Sequence, residues 1–285
     1  MKIAAFSGLL MDYSMHEAMD ITRRMGLDGI EIACREPHLS ADTSLQRVKE
    51  IRRLADEHQL GISALAGYMG WFSTSSDDDC ERAFDECKRM MERADILGTN
   101  LIRVFQGGPN AFLAAPYHYE KAAHWLRRCA EEADKLDKKI ALEIHNQSLI
   151  EDVESALKLI QLVDHPRIGL IHDAGNMYVS DSDYGADSIY ALQEHLFHVH
   201  VKDERRIDEV GGPSTFTNRT KHGEEAFRQC LLGDGEVNHQ PIFHALQKIG
   251  YDGWITLECF SAEPPEERLR HDLQVVRKLL AATST

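Results

Sequence analysis

The chain has 285 residues, of which 43% are hydrophobic, and its formal net charge is -15. This length fits one large domain with a sizeable core. The negative charge disfavours nucleic-acid partners, because it repels phosphate backbones. No segment approaches the roughly 20 apolar residues of a membrane span, so we expect no membrane partner.

The N-terminal segment MKIAAFSGLL contains only a short apolar run. A signal peptide needs a longer apolar region and a small-residue cleavage site, so this segment is predicted to be a first strand. The six cysteines show no CxxC pair and no framework spacing. We therefore expect reduced, mostly buried thiols in a cytoplasmic protein.

Short apolar runs alternate along the chain with charged amphipathic stretches. The predicted strands, in chain order, are Lys2–Ser7, Gly29–Ala33, Ile62–Ala66, Asn100–Phe105, Lys139–His145, Ile168–Asp173, Leu196–Lys202 and Trp254–Cys259. The clearest helical stretches are Ser44–Gln59, Asp79–Leu97, Tyr117–Leu136, Glu151–Val163 and Glu266–Leu280. Alternation of eight strands with about eight helices predicts parallel strands joined by helical crossovers. The predicted fold is therefore α/β, a single-domain (β/α)8 TIM barrel over residues 1–285.

One segment, Arg205–Glu236, breaks this alternation after the seventh predicted strand. It contains the glycine-rich turns Gly211–Pro213 and Gly233–Gly235 and is predicted to be a long loop insertion at about 205–236. Loops of this length are usually functional or disordered. Because the segment follows a strand, we expect it to form a wall or lid over the site. A mobile insertion without a role is the alternative.

Ionisable side chains stand at the ends of the last four predicted strands, where barrel enzymes carry their sites. These side chains are Glu143, Asp173, His200 and Glu258. A carboxylate in an apolar run is costly unless it is paired or bound to metal, and three crowded carboxylates repel one another. We therefore predict that the four residues bind one divalent metal ion. Three oxygen donors and one nitrogen donor favour Mn²⁺, Mg²⁺ or Co²⁺, with Zn²⁺ as an alternative.

Side-chain alternation along a strand places further polar groups on the same face. His145 shares a face with Glu143, and His198 and Lys202 share a face with His200. For His198 we expect packing or support of a metal ligand. Lys202 and Arg206 could each be a solvated surface charge or a site residue, and the sequence favours neither role.

Several motifs together carry a resemblance to a known family. They are DGIEI (Asp28–Ile32), ALEIHN (Ala141–Asn146), HDAGN (His172–Asn176), HVHVKD (His198–Asp203), GDGEVN (Gly233–Asn238) and IGYDGWITLE (Ile249–Glu258). Over nearly its whole length the sequence resembles the xylose-isomerase-like barrels, which include hydroxypyruvate isomerase, ketose 3-epimerases and inosose dehydratase. The resemblance implies the same four metal ligands. It also implies that Arg206, six residues after the ligand histidine, contacts substrate, whereas Asn176 stands where epimerases commonly carry a histidine.

The resemblance implies a metal-dependent sugar or keto-polyol isomerase or epimerase acting through an enediolate. Glu143 and Glu258 would transfer the proton, and the substrate contacts would be His145, Asn176, Lys202 and Arg206. The expected cofactor is one divalent ion, Mn²⁺ first, with Mg²⁺, Co²⁺ or Zn²⁺ as alternatives. The expected partner is a small sugar or polyol. Formation of a homo-oligomer is suggested only by analogy with the family and stays an open alternative.

Three other functions stay open. The same metal site would serve a dehydratase of a cyclic keto-polyol or related acid, for which Asn176 and the long insertion leave room. A phosphodiesterase of the apurinic-endonuclease type would need a trinuclear cluster and a basic groove, whereas the early strands offer Glu31, Cys34 and His38. A catalytically silent barrel that binds a sugar is the third.

Overall fold

The computed structural model describes residues 1–282 of the chain. Eight parallel strands form a closed barrel, which confirms the predicted (β/α)8 fold. The barrel strands are β1 Lys2–Phe6, β2 Gly29–Ala33, β3 Gly61–Gly70, β4 Leu101–Phe105, β5 Lys139–Glu143, β6 Ile168–Asp173, β7 Leu196–Val201 and β11 Trp254–Leu257. Around the barrel they follow the order β1-β11-β7-β6-β5-β4-β3-β2. Closure leaves the barrel without an unpaired edge.

Helices alternate with the strands. They are α1 Met15–Met25, α2 Leu45–Glu57, α3 Asp77–Leu97, α4 Pro116–Lys135, α5 Val153–Val163, α6 Ala174–Val179, α7 Ala186–Leu192, α8 Gln240–Lys248 and α9 Pro265–Ala282. α1 shows why a helix begins and ends where it does: Ser14 and Glu17 form a capping box, and Gly26 ends the helix at φ 80. No helix within residues 1–282 has the length and apolarity needed to cross a membrane.

The strand ends differ from the predicted ones in a way that matters for the site. β5 stops at Glu143, β7 at Val201 and β11 at Leu257. His145, Lys202 and Glu258 therefore lie just beyond regular strand, in the connections at the C-terminal mouth of the barrel. These positions are where barrel enzymes place their functional side chains.

The insertion after β7 is a sheet, whereas the sequence predicted a loop. Its strands are β8 Asp203–Ile207, β9 Thr215–Thr220 and β10 Gly223–Cys230, which pair antiparallel in the order β8-β10-β9. A two-residue connection, Lys221 and His222, joins β9 to β10, and Gly223 takes up the positive φ that follows it. The prediction missed these strands because they are charged and partly exposed, so their hydrophobic alternation is weak.

Asp203 fastens the end of the insertion to its beginning. Its Oδ1 accepts hydrogen bonds from the backbone N–H of Glu204 and Val237, and its Oδ2 accepts them from Gly233 and Gly235. A Cβ on Gly235 would lie 2.1 Å from Asp203 Oδ1. The second glycine of the GDG turn is therefore required by close approach to this carboxylate.

The core has two parts. The larger part contains the buried apolar side chains of the helices and of the outward faces of the strands, and it takes up most of the free cysteines. The smaller part lies inside the barrel and consists of Ala64, Leu101, Ala141 and Ile171. Leu101, Ala141 and Ile171 stand two residues before Arg103, Glu143 and Asp173. Because alternate residues share a face, the inner face changes from apolar to charged toward the mouth.

Candidate active site

Four ionisable side chains meet at the C-terminal mouth of the barrel. Glu143 ends β5, Asp173 ends β6, His200 lies on β7 and Glu258 follows β11. One potential ligand atom from each lies within 4.8 Å of the others, and all four residues are buried. The structure thus brings together the four residues that the sequence predicted as metal ligands.

His200 is the centre of this group. Its Nδ1 lies 3.1 Å from Glu143 Oε1, 3.1 Å from Glu258 Oε2 and 3.9 Å from Asp173 Oδ2. Burial lowers the pKa of His200, but the charges of Glu31, Glu258 and Glu143 outweigh it and raise the pKa well above its usual value. The Nδ1 side of the ring therefore faces three anionic groups at once.

Glu31 on β2 holds the opposite side of the same ring, a role that the sequence did not predict. His200 Nε2 lies 3.1 Å from Glu31 Oε2, and His198 Nε2 lies 2.9 Å from the same oxygen. Burial raises the pKa of Glu31, but His200 and His198 hold it well below its usual value. The signal in the sequence was a lone glutamate inside the apolar run GIEIA.

Arg103 on β4 is the second residue that the sequence analysis missed. Its Nη1 donates to Glu143 Oε2 at 2.5 Å, and Asn176 Nδ2 donates to Glu143 Oε1 at 3.0 Å. Burial raises the pKa of Glu143, but Arg103 and His200 hold it well below its usual value. Glu143 is therefore an ionised carboxylate with a neighbour on each oxygen.

Asp173 and Lys202 form the remaining part of the cluster. Asp173 Oδ1 accepts from the backbone N–H of Asn176 at 2.9 Å, which caps α6. Lys202 Nζ lies 3.0 Å from Asp173 Oδ2 and 3.4 Å from Glu258 Oε2. The contact to Asp173 lacks hydrogen-bond geometry, so Asp173 Oδ2 is buried with a charged neighbour and no donor. Burial raises the pKa of Asp173 to about 7, with Lys202 opposing the rise and Glu143 and Glu258 adding to it.

The predicted substrate-contact residues separate into two groups. Asn176 and Lys202 contact the four-residue cluster, and His145 lines a pocket of about 330 Å³ together with Glu143. Arg206 lies on β8 instead, where its half-exposed side chain pairs with Glu225 at 3.1 Å and covers the ring of Phe227. The side chain of Arg206 therefore contacts the inserted sheet, and its backbone N–H donates to Tyr178 Oη on α6 at 3.2 Å and to Glu236 Oε2 at 3.3 Å.

The charges of the barrel interior test whether these residues fit a divalent ion. Four carboxylates are buried here and face two permanent cations. The carboxylates are those of Glu31, Glu143, Asp173 and Glu258, and the cations are Arg103 and Lys202. With His200 neutral, as a metal ligand must be, and the four carboxylates ionised, the negative charge exceeds the positive charge by that of one divalent cation, and buried charge of one sign is costly without such compensation. Asp173 Oδ2 forms an ion pair with Lys202 but accepts no hydrogen bond. The residues therefore fit a divalent metal with oxygen and imidazole donors.

A closed parallel barrel with a buried carboxylate and histidine cluster at its C-terminal mouth defines a TIM-barrel protein with a strand-end site. The family model described as xylose isomerase-like TIM barrel matches residues 19–279. The chain belongs to this family.

Three proteins illustrate the similarity. An inosose dehydratase from Lacticaseibacillus casei is 22% identical over 263 residues, covering 87% of this chain and 83% of the relative. A ketose 3-epimerase from Arthrobacter globiformis is 26% identical over 272 residues, covering 91% and 82%. The crystal structure of IOLI protein with a zinc atom superposes with a TM-score of 0.80 at 17% identity, covering 99% of each chain.

Proposed function

We propose that the chain is a divalent-metal-dependent enzyme that moves a proton beside the carbonyl group of a sugar or keto-polyol, as an isomerase or epimerase. The observation that carries this proposal is the meeting of Glu143, Asp173, His200 and Glu258 within 4.8 Å at the barrel mouth. The relatives named inosose dehydratase and ketose 3-epimerase support a substrate of the sugar or polyol class.

The four residues would hold the ion, His200 through Nδ1 and the carboxylates through one oxygen each. When bound, the ion would polarise the substrate carbonyl and stabilise the negative charge that develops on its oxygen. Three carboxylates and one imidazole favour Mn²⁺, with Mg²⁺, Co²⁺ and Zn²⁺ as alternatives. The zinc atom in the similar structure supports a divalent ion in this fold.

Glu143 and Glu258 are the proposed proton-transfer pair. Both carboxylates lie 3.1 Å from His200 Nδ1, so they flank the same space from two strands. In an epimerase, one carboxylate removes the proton from one face of a carbon atom, and the other side chain returns a proton to the opposite face. Arg103 keeps Glu143 ionised and so able to accept a proton.

A dehydratase is the second candidate, and Lys202 is the observation that favours it. Burial lowers the pKa of Lys202, but Asp173 and Glu258 raise it well above its usual value, so the side chain is an ammonium within the cluster. An ammonium at this position would hydrogen-bond to a departing hydroxyl group and stabilise the negative charge that develops on its oxygen. A dehydratase relative that covers most of the chain agrees with this candidate.

Solvent isotope exchange tests the proposal. The chain would be incubated with Mn²⁺ and a panel of ketoses and cyclic keto-polyols in D₂O and followed by NMR. An isomerase or epimerase is expected to place deuterium on the carbon beside the carbonyl, whereas a dehydratase yields an unsaturated ketone that absorbs in the ultraviolet. Absence of both across the panel would leave a sugar-binding barrel without catalysis. The metal-stripped chain is the control.

A further inference from the structure

A pocket of about 330 Å³ opens at the barrel mouth beside the candidate active site and shares Glu143 with it. Its lining includes the polar residues Arg103, Glu143 and His145 and three aromatic residues, Tyr68, Trp71 and Phe105. A substrate whose reacting carbon lies at Glu143 would extend into this space. The chemistry of the pocket walls therefore bears on what the rest of the substrate contains.

Arg103 has hydrogen-bonding capacity that the protein does not use. The residue is only 5% exposed, its Nη1 binds Glu143 and its Nε donates to the carbonyl of Gly67 at 3.3 Å. Its Nη2 is buried and has no hydrogen-bond partner. A buried N–H without an acceptor is costly, and such groups in folded proteins call for an explanation. A ligand in the adjoining pocket that accepts a hydrogen bond from Nη2 would explain why this group has no partner in the protein.

The aromatic residues fix the guanidinium and form a flat wall. The Arg103 guanidinium lies 4.7 Å from the centre of the Tyr68 ring, a stacking distance that holds its plane. Trp71 remains 50% exposed although its ring lies against Phe105 at 4.6 Å. Its backbone has φ 58, an uncommon conformation for a bulky residue. Strain and exposure of this kind together point to a ring that contacts ligand.

We propose that the substrate carries a carboxylate, which Arg103 Nη2 binds while the carbon skeleton packs on Trp71. This inference rests on the proposed function and narrows its substrate class to acidic keto-polyols. Nη2 offers only donors, and the oxygen of a hydroxyl or of a carboxylate can accept from it. The carboxylate is favoured because the bond between two charged groups is the stronger one.

His145 complements this arrangement with an acceptor. Its Nδ1 lies 2.7 Å from the carbonyl oxygen of Asn146, so Nδ1 must carry the proton. In the neutral ring Nε2 is then an acceptor, suited to a substrate hydroxyl group. The pocket thus offers a donor for a carboxylate and an acceptor for a hydroxyl, as a polyhydroxylated acid requires.

Calorimetric binding with two matched pairs of unreactive probes tests the inference. D-Gluconate is compared with D-glucitol, and quinate with myo-inositol, all on the Mn²⁺-treated chain. We expect each acid to bind at least about tenfold more tightly than its neutral partner, as one charge-assisted hydrogen bond implies. Arg103→Gln should reduce this preference to about twofold, and the ratio of acid to neutral affinity is the readout because Arg103 also pairs with Glu143.

Two outcomes would overturn the inference: equal binding of acid and neutral probes by the unmodified chain, or an acid preference that Arg103→Gln leaves unchanged. Arg93→Gln is the matched control, because Arg93 is also buried but binds backbone carbonyls of Arg89 and Thr43. If Arg103→Gln does not fold, the acid preference of the metal-stripped unmodified chain decides, because a hydroxy acid can also bind Mn²⁺ directly. Acid preference without isotope exchange on any sugar would refute only the proposed function, and exchange without acid preference would refute only this inference.

Discussion

The carboxylate of Glu31 lies against the Nε2 side of His200, with its two oxygens 3.1 and 3.2 Å from that nitrogen. An ionised carboxylate can only accept, so Nε2 carries a proton whenever Nδ1 binds an ion. Glu31 thereby sets the tautomer and the orientation of a proposed ligand from the strand on the other side of the barrel. Support of this kind is typical of metal-binding histidines.

Glu31→Gln should therefore weaken metal binding without removing a ligand. We expect the affinity for Mn²⁺ to fall about 10- to 100-fold, the usual effect of losing such a partner. Competition with a metal-sensitive dye measures it. Glu151→Gln is the control, since Glu151 is a buried carboxylate that binds Asn110 and a backbone N–H elsewhere. Unchanged affinity in Glu31→Gln would show that Glu31 only fills space.

Glu258→Gln should abolish turnover while the fold stays intact. The amide keeps the size of the side chain but removes the proton-accepting carboxylate, and a general acid or base contributes about 10²- to 10⁴-fold to rate. The measurement is kcat together with circular dichroism of the same sample. Activity close to that of the unmodified chain would refute the proposed role of Glu258.

Gly235→Ala should destabilise the chain, whereas Gly211→Ala in the same insertion should not. The added Cβ of residue 235 would meet Asp203 Oδ1 at 2.1 Å, whereas nothing lies within 4 Å of the corresponding position at residue 211. We expect a loss of about 1–3 kcal/mol for the first, the usual cost of overpacking. The second should change stability by less than about 0.5 kcal/mol. Urea denaturation of both variants decides, and equal stabilities would contradict the proposed function of the GDG turn.

Asp272 should make stability depend on pH. Burial raises its pKa from 3.8 to about 6, although its Oδ1 accepts a hydrogen bond from the backbone N–H of Leu232. Between about pH 4 and 6 the folded chain binds more protons than the unfolded chain, so stability falls as pH rises through this range. Asp272→Asn removes the ionisation while keeping an acceptor.

We therefore expect Asp272→Asn to be more stable than the unmodified chain at pH 7, by no more than about 3 kcal/mol. The difference should nearly vanish near pH 3, which lies below the pKa of Asp272 in both states. Thermal unfolding at the two pH values measures it. A difference that does not change with pH would rule out ionisation of Asp272 as its source.

The sequence predicted the barrel and the four-residue cluster because both depend on local pattern. Glu143 and Glu258 each interrupt an apolar run, and strand order in a barrel places such residues at one end. Glu31 and Arg103 carried the same signal in GIEIA and LIRVF. Their partners, His200 and Glu143, are 169 and 40 positions away in sequence, and no local pattern specifies such a pairing.

The inserted sheet was missed for a different reason. Its strands are stabilised by pairing with one another and by Asp203, and their side chains include many charges. Propensity for a strand depends strongly on the neighbours it packs against, which are unknown before the fold is known. The hairpin also has a weak local signal, because its two-residue connection is Lys221 and His222 rather than Asn-Gly or Asp-Gly.

The small apolar cluster inside the barrel has an electrical consequence. Ala64, Leu101, Ala141 and Ile171 lie on the N-terminal side of the charged layer and give it a floor of low polarisability. Field lines from buried charges concentrate toward the side where the medium is more polarisable, which here is the open mouth. The electrostatic potential of these charges therefore extends mainly outward through the pocket of Arg103. Mobile salt ions can screen it only from that direction.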